Sequence, residues 1–163
     1  MNRQVATVLS IVGLAVSLSQ SLLARPQPSP AQSPRIQACS LLTKEEVKKH
    51  LPWKAMFDRM APEEEPIGAA GSSCNYPSVD IQVLPFSQGF MDSARKQAGG
   101  VEAVSGIGDE AYFRNNPNGY AELYVKSGKH IVTVQADVPP DGSIASVKPG
   151  VMSLAKALVT KLR

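Results

Sequence analysis

Residues 120–136 read YAELYVKSGKHIVTVQA and predict a β-hairpin. Apolar and polar residues alternate on both sides of Ser127-Gly128, as they do in strands that bury one face. A two-residue turn between Lys126 and Lys129 sets the register. The opposed pairs are then Val125 with His130, Leu123 with Val132, and Ala121 with Val134. One face of this hairpin is apolar, and the other carries Tyr120, Glu122, Tyr124, Ile131, Thr133 and Gln135.

Further strands extend this hairpin into an antiparallel sheet. Residues 111–114 precede it across the turn-forming segment Asn115–Gly119. Residues 79–83 alternate apolar with polar side chains and follow a strand at 74–76. The sequence therefore predicts a sheet of about five strands.

Helix start signals flank the predicted strands on both sides. Thr43 and Glu46 have capping-box spacing and predict an N-terminal helix that runs to about Leu51. Ser87 can cap a middle helix over residues 88–98, and Ser146 a C-terminal helix over 147–162. Pro149 would then lie in the first turn of the C-terminal helix, where its missing N–H needs no partner. The fold class predicted from this order is α+β, with the three helices packed on the antiparallel sheet.

Two segments between the first helix and the strands allow more than one interpretation. Trp53, Met56, Phe57 and Met60 recur at helical spacing and predict a second short helix, packed on the core or forming a soft wall of a ligand groove. Residues 63–65 are three consecutive glutamates between prolines, and residues 67–73 are rich in Gly, Ala and Ser. Both are expected to be loops. A cation site at the glutamates is the alternative, but three adjacent carboxylates lack the spaced oxygen ligands of a calcium loop.

Residues 1–24 have the layout of a signal peptide. Arg3 gives a positive start, the apolar segment 5–18 follows, and Ala24 offers a small residue at a cleavage point. The alternative is an uncleaved membrane anchor, although the apolar run is short for a span. Cleavage would leave no stable transmembrane anchor and predicts an exported protein, periplasmic or extracellular.

Residues 25–35 form a proline-rich linker, since repeated prolines favour an extended, solvated chain. Residues 36–163 have the usual size of a single domain. Residues 36–39, Ile-Gln-Ala-Cys, superficially resemble the motif that precedes a lipidated cysteine. Because the linker separates this motif from the apolar segment, lipidation of Cys39 is not expected.

Cys39 and Cys74 are the only cysteines in the chain. In an exported protein two cysteines most often pair, so the sequence predicts one structural disulfide. There is no C-x-x-C redox spacing, and two cysteines alone do not complete a zinc site. We therefore expect neither a catalytic cysteine nor a metal centre.

No motif in the sequence indicates a catalytic centre or a cofactor. The net charge is +3, and Lys and Arg form no stripe, which does not favour nucleic-acid binding. There is no G-x-S-x-G elbow and no Walker motif, and residues 106–109, Gly-Ile-Gly-Asp, are interpreted as a turn that opens the next strand. Asp109 and Glu110 would point to opposite faces of a strand, which argues against a shared acid/base site.

Three motifs in order resemble a family of uncharacterised exported domains that is common among bacterial lipoproteins, notably of actinobacteria. They are CSLLTKEEV at 39–47, SCNY at 73–76 and VSGIGDEAY at 104–112. The resemblance implies a disulfide between Cys39 and Cys74, and an α+β fold similar to PsbP-like domains and to extracellular sensor domains of bacterial kinases. It also implies a non-catalytic binding or accessory module, with no catalytic residue to carry over.

The function expected first is an exported, non-catalytic binding or accessory domain of the bacterial envelope that contacts a protein or a lipid. Its candidate contact surface comprises Tyr120 and Tyr124 on the polar sheet face, with Trp53 and Phe57. One alternative is a small extracellular hydrolase with a dispersed site, which requires His50 or His130 to meet a serine and a carboxylate. Another is a purely structural envelope protein, which requires no defined pocket.

Overall fold

The computed structural model describes residues 35–51, 61–97 and 100–163. These residues all lie within one unit of the chain, Ala31–Arg163. The predicted signal peptide, the linker up to Pro34 and the predicted helix at residues 53–60 lie outside the described residues.

Within the described residues, seven antiparallel strands form a single sheet in the order β1-β2-β3-β7-β6-β5-β4. The strands are β1 Glu63–Ile67, β2 Gly71–Tyr76, β3 Val79–Pro85, β4 Val101–Val104, β5 Glu110–Asn116, β6 Tyr120–Ser127 and β7 His130–Asp137. The described helices are α1 Ala38–Leu41, α2 Lys44–His50, α3 Gln88–Arg95 and α4 Ile144–Lys161. The α+β class predicted from the sequence is therefore confirmed.

The apolar face of the sheet forms the main core beneath α4. Val132 and Val134 of β7 and Leu123 of β6 are fully buried there, and they face Leu154 and Leu158 on the inner side of α4. Burying a side chain of this size contributes about 2 kcal/mol, so the apolar stripe of α4 accounts for much of the attraction between the layers.

Local signals explain how the N-terminal helices are held. Thr43 and Glu46 form the predicted capping box at the start of α2. The Tyr76 hydroxyl of β2 donates to the carbonyl oxygen of Leu42 at 3.0 Å, and burial raises the pKa of Tyr76 to about 12. This bond attaches the α1–α2 connection to the sheet.

The disulfide between Cys39 and Cys74 is present, as predicted. It joins α1 to β2 with Cα atoms 4.9 Å apart. An intramolecular disulfide of this kind indicates an oxidising, extracytoplasmic environment.

The second face of the sheet is polar and carries α3, which packs against β6. Ser87 caps this helix through the backbone N–H of Phe90, as predicted. Met91 and Ala94 on the inner side of α3 are buried, and Phe90 packs edge-on against Tyr124 with ring centroids 6.1 Å apart.

Two strands were missed by the sequence prediction, which gave five strands rather than seven. The triple-glutamate segment is not a loop but the edge strand β1, and residues 71–73 of the predicted Gly/Ala/Ser-rich loop belong to β2. Charged side chains and Pro66 resemble a solvated loop in the sequence, but they are also typical of an edge strand that pairs on one side only. The strand at the other edge, β4, has only four residues, so its alternation is too short to be recognised as a strand in the sequence.

The predicted hairpin register was wrong by one residue on each strand. The structure pairs Ser127 with His130, so the turn is Gly128-Lys129. Gly128 has a φ of +56° at the first central position, where a serine would be strained. A shift of one residue on each strand changes the pairing by two positions in total. Because side chains alternate between the faces with a period of two, every residue keeps its predicted face, and the predicted faces are confirmed.

The C-terminal helix starts earlier than predicted. Ser143 rather than Ser146 is its N-cap, and the two residues form a capping box. Pro149 therefore lies inside α4 and not in its first turn.

The described residues include no helix long and apolar enough to cross a membrane.

Candidate functional site

Six polar residues of β2, β3 and β7 lie together on the polar face of the sheet, and we call them the polar patch. They are Asn75, Asp80, Gln82, Thr133, Gln135 and Asp137. Strand pairing sets this arrangement, because Asp80 lies opposite both Asn75 and Gln135, while Gln82 lies opposite Thr133. The patch thus joins residues that are far apart in the sequence.

Two polar atoms of the patch are buried without a hydrogen-bond partner. They are Oδ1 of Asp80 and Oγ1 of Thr133, and no other such side-chain atom is found in the described ranges 35–51, 61–97 and 100–163. The other Asp80 oxygen, Oδ2, accepts a bond of 2.8 Å from Nε2 of Gln82. A buried polar group without a partner costs about 1–3 kcal/mol, so two on neighbouring positions of one surface call for an explanation.

A cleft of about 180 Å³ opens at one end of the polar patch. Its polar lining comprises Asn75, Ser78, Asp80, Gln135 and Asp137. Ser78 has a φ of +65°, a conformation that costs a non-glycine residue energy. Its carbonyl oxygen accepts a bond of 3.0 Å from the backbone N–H of Asp137, which joins the β2–β3 turn to β7. Carboxylates and side-chain amides thus surround a space large enough for a small polar group.

Burial is the main reason why the pKa of Asp80 is raised, since it disfavours the charged form. The hydrogen bond from Gln82 opposes this shift, and the negative charge of Glu65 adds to it. A carboxylate in this environment destabilises the folded state at neutral pH, because folding favours its protonated form.

We expect Asp80→Asn to stabilise the folded protein at pH 7. Asparagine keeps the shape and the acceptor for Gln82 but removes the buried charge. Since the folded-state pKa of Asp80 is raised, its contribution to stability is most favourable at low pH and is lost as the pH rises through that pKa. The gain should therefore vanish at about pH 3, below the unfolded pKa. Urea denaturation at both pH values measures this difference, and equal stability of the two proteins at pH 7 would contradict the assignment.

The predicted contact surface is only partly formed. Tyr124 is 6% exposed because α3 covers it, so it cannot belong to an exposed surface. Tyr120 is half-buried at the start of β6, where it lies opposite Asp137 of the polar patch. Trp53 and Phe57 lie outside the described residues. Both described tyrosines thus lie opposite patch residues, Tyr120 opposite Asp137 and Tyr124 opposite Thr133, but α3 covers Tyr124.

A hydrogen-bonded network on β5 and β6 adjoins the polar patch, because Glu122 lies opposite Gln135. Glu122 is 6% exposed and pairs with Arg114 across β5 and β6, with Nη1 and Oε2 2.8 Å apart. Its other oxygen, Oε1, accepts from Asn116 at 3.0 Å. The Tyr124 hydroxyl lies 3.1 Å from Glu122 and 2.9 Å from the side-chain oxygen of Gln97. Arg114 balances the charge of Glu122, and both carboxylate oxygens accept hydrogen bonds. Glu122 therefore stabilises the sheet and is not a free carboxylate that could react.

The disulfide region brings three metal-type donors within 4.8 Å of one another, the only such group in the described part of the chain. It comprises Cys39, Cys74 and Glu64. The two sulfurs are bonded to each other, so neither is a thiolate ligand. Glu64 accepts from the backbone N–H groups of Ala38 and Cys39 at 2.8 and 2.6 Å. Its carboxylate therefore caps the start of α1, which has no side-chain cap of its own.

One histidine meets a serine, as the hydrolase alternative requires. Nδ1 of His50 lies 2.9 Å from Oγ of Ser153 on α4. No described carboxylate pairs with His50, and Ser153 lies in mid-helix, where backbone N–H groups are engaged and cannot form an oxyanion hole. The pair is best interpreted as a polar contact between α2 and α4.

The second histidine, His130, lines a cleft of about 630 Å³ with Lys129 and apolar residues. Burial lowers the pKa of His130, and the neighbouring Lys129 lowers it further. No hydrogen bond joins it to a serine or a carboxylate of the described residues. Its environment therefore disfavours the charged form of the imidazole.

The loop at residues 106–109 directly precedes β5, as predicted. Asp109 accepts from the backbone N–H of Gly128 at 2.7 Å and donates its own N–H to the carbonyl oxygen of Lys126 at 2.8 Å. Gly108 allows this approach, because a Cβ there would lie 2.3 Å from the same carbonyl oxygen. Asp109 therefore holds the β6–β7 turn in place.

No family model, curated protein or solved structure matches this chain. The resemblance to exported actinobacterial domains thus stays a prediction. Sequence analysis had placed Thr133 and Gln135 on the polar face but gave neither a role, and it did not single out Asp80. Their signal is the polar half of the strand alternation, which by itself looks like an ordinary solvated face.

Proposed function

We propose that this protein is an exported, non-catalytic binding module of the cell envelope, and that the polar patch is its contact surface. The observation that carries the proposal is the pair of buried, unpartnered atoms on Asp80 and Thr133. The disulfide supports an extracytoplasmic location.

An unpartnered buried group lowers stability and is therefore retained where function needs it. A ligand bound on the patch would recover this cost if the side chains of Asp80 and Thr133 rotate to bring both atoms to the surface, where the ligand supplies hydrogen-bond partners. Five of the six patch residues are only half-buried, so solvent reaches the patch, and Thr133 is its one buried member. This combination is what a preformed polar recognition site requires.

The chemistry of the patch favours a polar partner. Its side chains are carboxylates, amides and a hydroxyl, none of which contacts acyl chains favourably. A protein surface or a polar headgroup satisfies these groups, whereas the interior of a lipid bilayer does not. The hydrolase alternative is less well supported, since His50 and Ser153 lack a described carboxylate partner and an oxyanion hole.

Affinity capture with Thr133→Val tests the proposal. Valine has nearly the shape of threonine but lacks the hydroxyl, so the variant should fold with equal or greater stability. Thr160→Val is the matched control, because Thr160 is exposed on α4 and bonds only within its own helix. Each protein, without residues 1–24, is immobilised and exposed to the envelope fraction of the source organism.

We expect one envelope component to be retained by the wild-type protein and by Thr160→Val but lost from Thr133→Val. Equal retention by all three proteins would place the contact elsewhere on the molecule. Failure of the wild-type protein to retain any component would contradict the binding function itself.

A further inference from the structure

The cleft of about 630 Å³ that His130 lines is separate from the polar patch, and we call it the aliphatic cleft. Register pairs Pro85 with His130 at this end of β3 and β7, whereas Val79 and Ala136 pair at the other end, next to Ser78. None of the six patch residues lines the aliphatic cleft. It is therefore a second candidate site.

Aliphatic side chains form most of the lining of this cleft. They come from the segment before α1, from the end of β3 and from the residue after α4, and comprise Ile36, Val83, Leu84, Pro85 and Leu162. Val83 is 1% exposed, whereas Ile36, Leu84 and Leu162 are half-buried and Pro85 is exposed. Apolar surface thus faces solvent within a concavity, and its volume lies in the range of about 300–1,000 Å³ that is typical of small-molecule sites.

The polar side chains of the described lining are Lys129 and His130, and no described lining residue is acidic. The carbonyl oxygen of Lys129 accepts from the backbone N–H of Phe86 at 2.8 Å, which holds the β6–β7 turn beside the end of β3. The Lys129 side chain is exposed and forms no ion pair with the described residues. A cation without a partner therefore lies at the edge of an apolar cavity.

A second cation is held on the opposite side of the cleft. Arg35 directly precedes the lining residue Ile36, and its Nη2 donates to the carbonyl oxygens of Gly68 and Ala69 at 3.0 and 3.4 Å. These carbonyl groups directly precede Ala70, which also lines the cleft. Arg35 likewise forms no ion pair with the described residues, so the charge around the cleft is positive and favours an anionic ligand.

We propose that the aliphatic cleft binds one free fatty acid, with its acyl chain along Val83, Leu84 and Leu162 and its carboxylate at Lys129. A peptide fits less well, because aliphatic side chains offer no partners to a buried backbone N–H or C=O. A membrane surface fits less well too, because these side chains line a concavity and do not protrude. An acyl chain has no polar group to desolvate, and the Lys129 ammonium and an imidazole N–H of His130 donate to the carboxylate.

Calorimetric titration of the disulfide-bonded chain, without residues 1–24, tests the ligand class. The probes are octanoate, decanoate and dodecanoate at neutral pH, each below the concentration at which it forms micelles. The control ligand is dodecyltrimethylammonium, which has the same chain as dodecanoate but the opposite charge. We expect saturable binding of one fatty acid per chain, with an affinity that rises about fourfold for each added methylene. An affinity that does not depend on chain length, or equal binding of the cationic control, would overturn the proposal.

A pair of charge variants tests the position of the carboxylate. Lys129→Gln should weaken dodecanoate binding about fivefold, the upper value for an exposed ion pair. Lys49→Gln removes the same charge from an exposed position on α2, away from the cleft, and should leave the affinity unchanged. Equal effects of the two substitutions would refute the assignment of the carboxylate to Lys129.

The two histidines of the chain give a readout of where the ligand binds. A carboxylate in the aliphatic cleft should shift the NMR signals of the His130 imidazole. It should not shift those of His50, which contacts Ser153 on α4 and does not line the cleft. Binding that leaves the His130 signals unchanged would place the fatty acid elsewhere on the molecule.

Cosedimentation with vesicles of anionic phospholipid separates a free ligand from a membrane surface. We expect the fatty acids to bind as monomers and the protein to stay in solution with the vesicles. Attachment to vesicles without binding of monomeric fatty acid would assign the cleft to a membrane surface and overturn the proposal. If neither the fatty acids nor the vesicles bind, the fatty-acid site is wrong, while the binding function of the polar patch is decided separately by Thr133→Val.

Discussion

Replacing Cys39 and Cys74 together by serine is expected to lower the free energy of unfolding by about 4 kcal/mol. The disulfide closes a loop with a sequence separation of 35, and the chain-entropy relation gives this value for such a loop. Thermal unfolding of the oxidised wild-type protein and the double variant measures the loss. The effect is large because a domain of this size has a net stability of only about 5–15 kcal/mol.

The location of the bond adds to its effect. Cys74 is fully buried on β2, so serine also places a hydroxyl in the core. The control is the wild-type protein unfolded with and without a thiol reductant, which should reproduce most of the loss without any substitution. A double variant that unfolds at the temperature of the oxidised wild type would contradict a structural role for the disulfide.

Gly150→Ala is expected to cost about 3 kcal/mol, although alanine is the better helix former. A Cβ at position 150 would lie 2.1 Å from the carbonyl oxygen of His50, a backbone atom at the end of α2. Since the backbone cannot rotate away as a side chain can, the end of α2 must move away from α4. Chemical denaturation measures the change in free energy of unfolding.

Gly89→Ala is the matched control for this prediction. Gly89 also lies in a helix, α3, and an added Cβ would meet only Oγ of Ser87 at 3.9 Å, which is ordinary contact. This variant should gain up to about 1 kcal/mol from helix propensity. If the two variants changed stability in the same direction and by similar amounts, close packing of α2 on α4 at Gly150 would be refuted.

Elements with complete local signals were predictable from the sequence. The capping box of Thr43 and Glu46, the Ser87 cap and the alternation along β6 and β7 each act within a few residues. Neighbouring side chains and backbone groups form these features, so no distant partner is needed. The pairing of Cys39 with Cys74 was predictable for a different reason, since the chain has no other cysteine.

Elements without such local signals were either not predicted from the sequence or predicted at the wrong residues. The glutamates of β1 become a strand because β2 offers an edge to pair with, which the local composition does not reveal. The start of α4 was predicted three residues too late, because two serines three positions apart could each act as the N-cap. The hairpin register moved because only the backbone conformation shows which turn position Gly128 occupies.

The candidate site depends on pairing between distant strands. Asp80 meets Gln135 because β3 pairs with β7, and the intervening chain builds α3 and three further strands. α3 in turn covers Tyr124, which sequence analysis had expected at the surface. Neither contact can be recognised from the local sequence pattern.

Residue order alone therefore established the α+β class, the disulfide and the two faces of the central hairpin, because each follows from periodicity or from residue counts. Long-range packing assigned the edges of the sheet, the covered and accessible parts of its polar face, and the buried carboxylate of Asp80. These features arise when strands distant in the chain exclude water from one another's side chains. That exclusion is what turns an ordinary polar alternation into a candidate binding site.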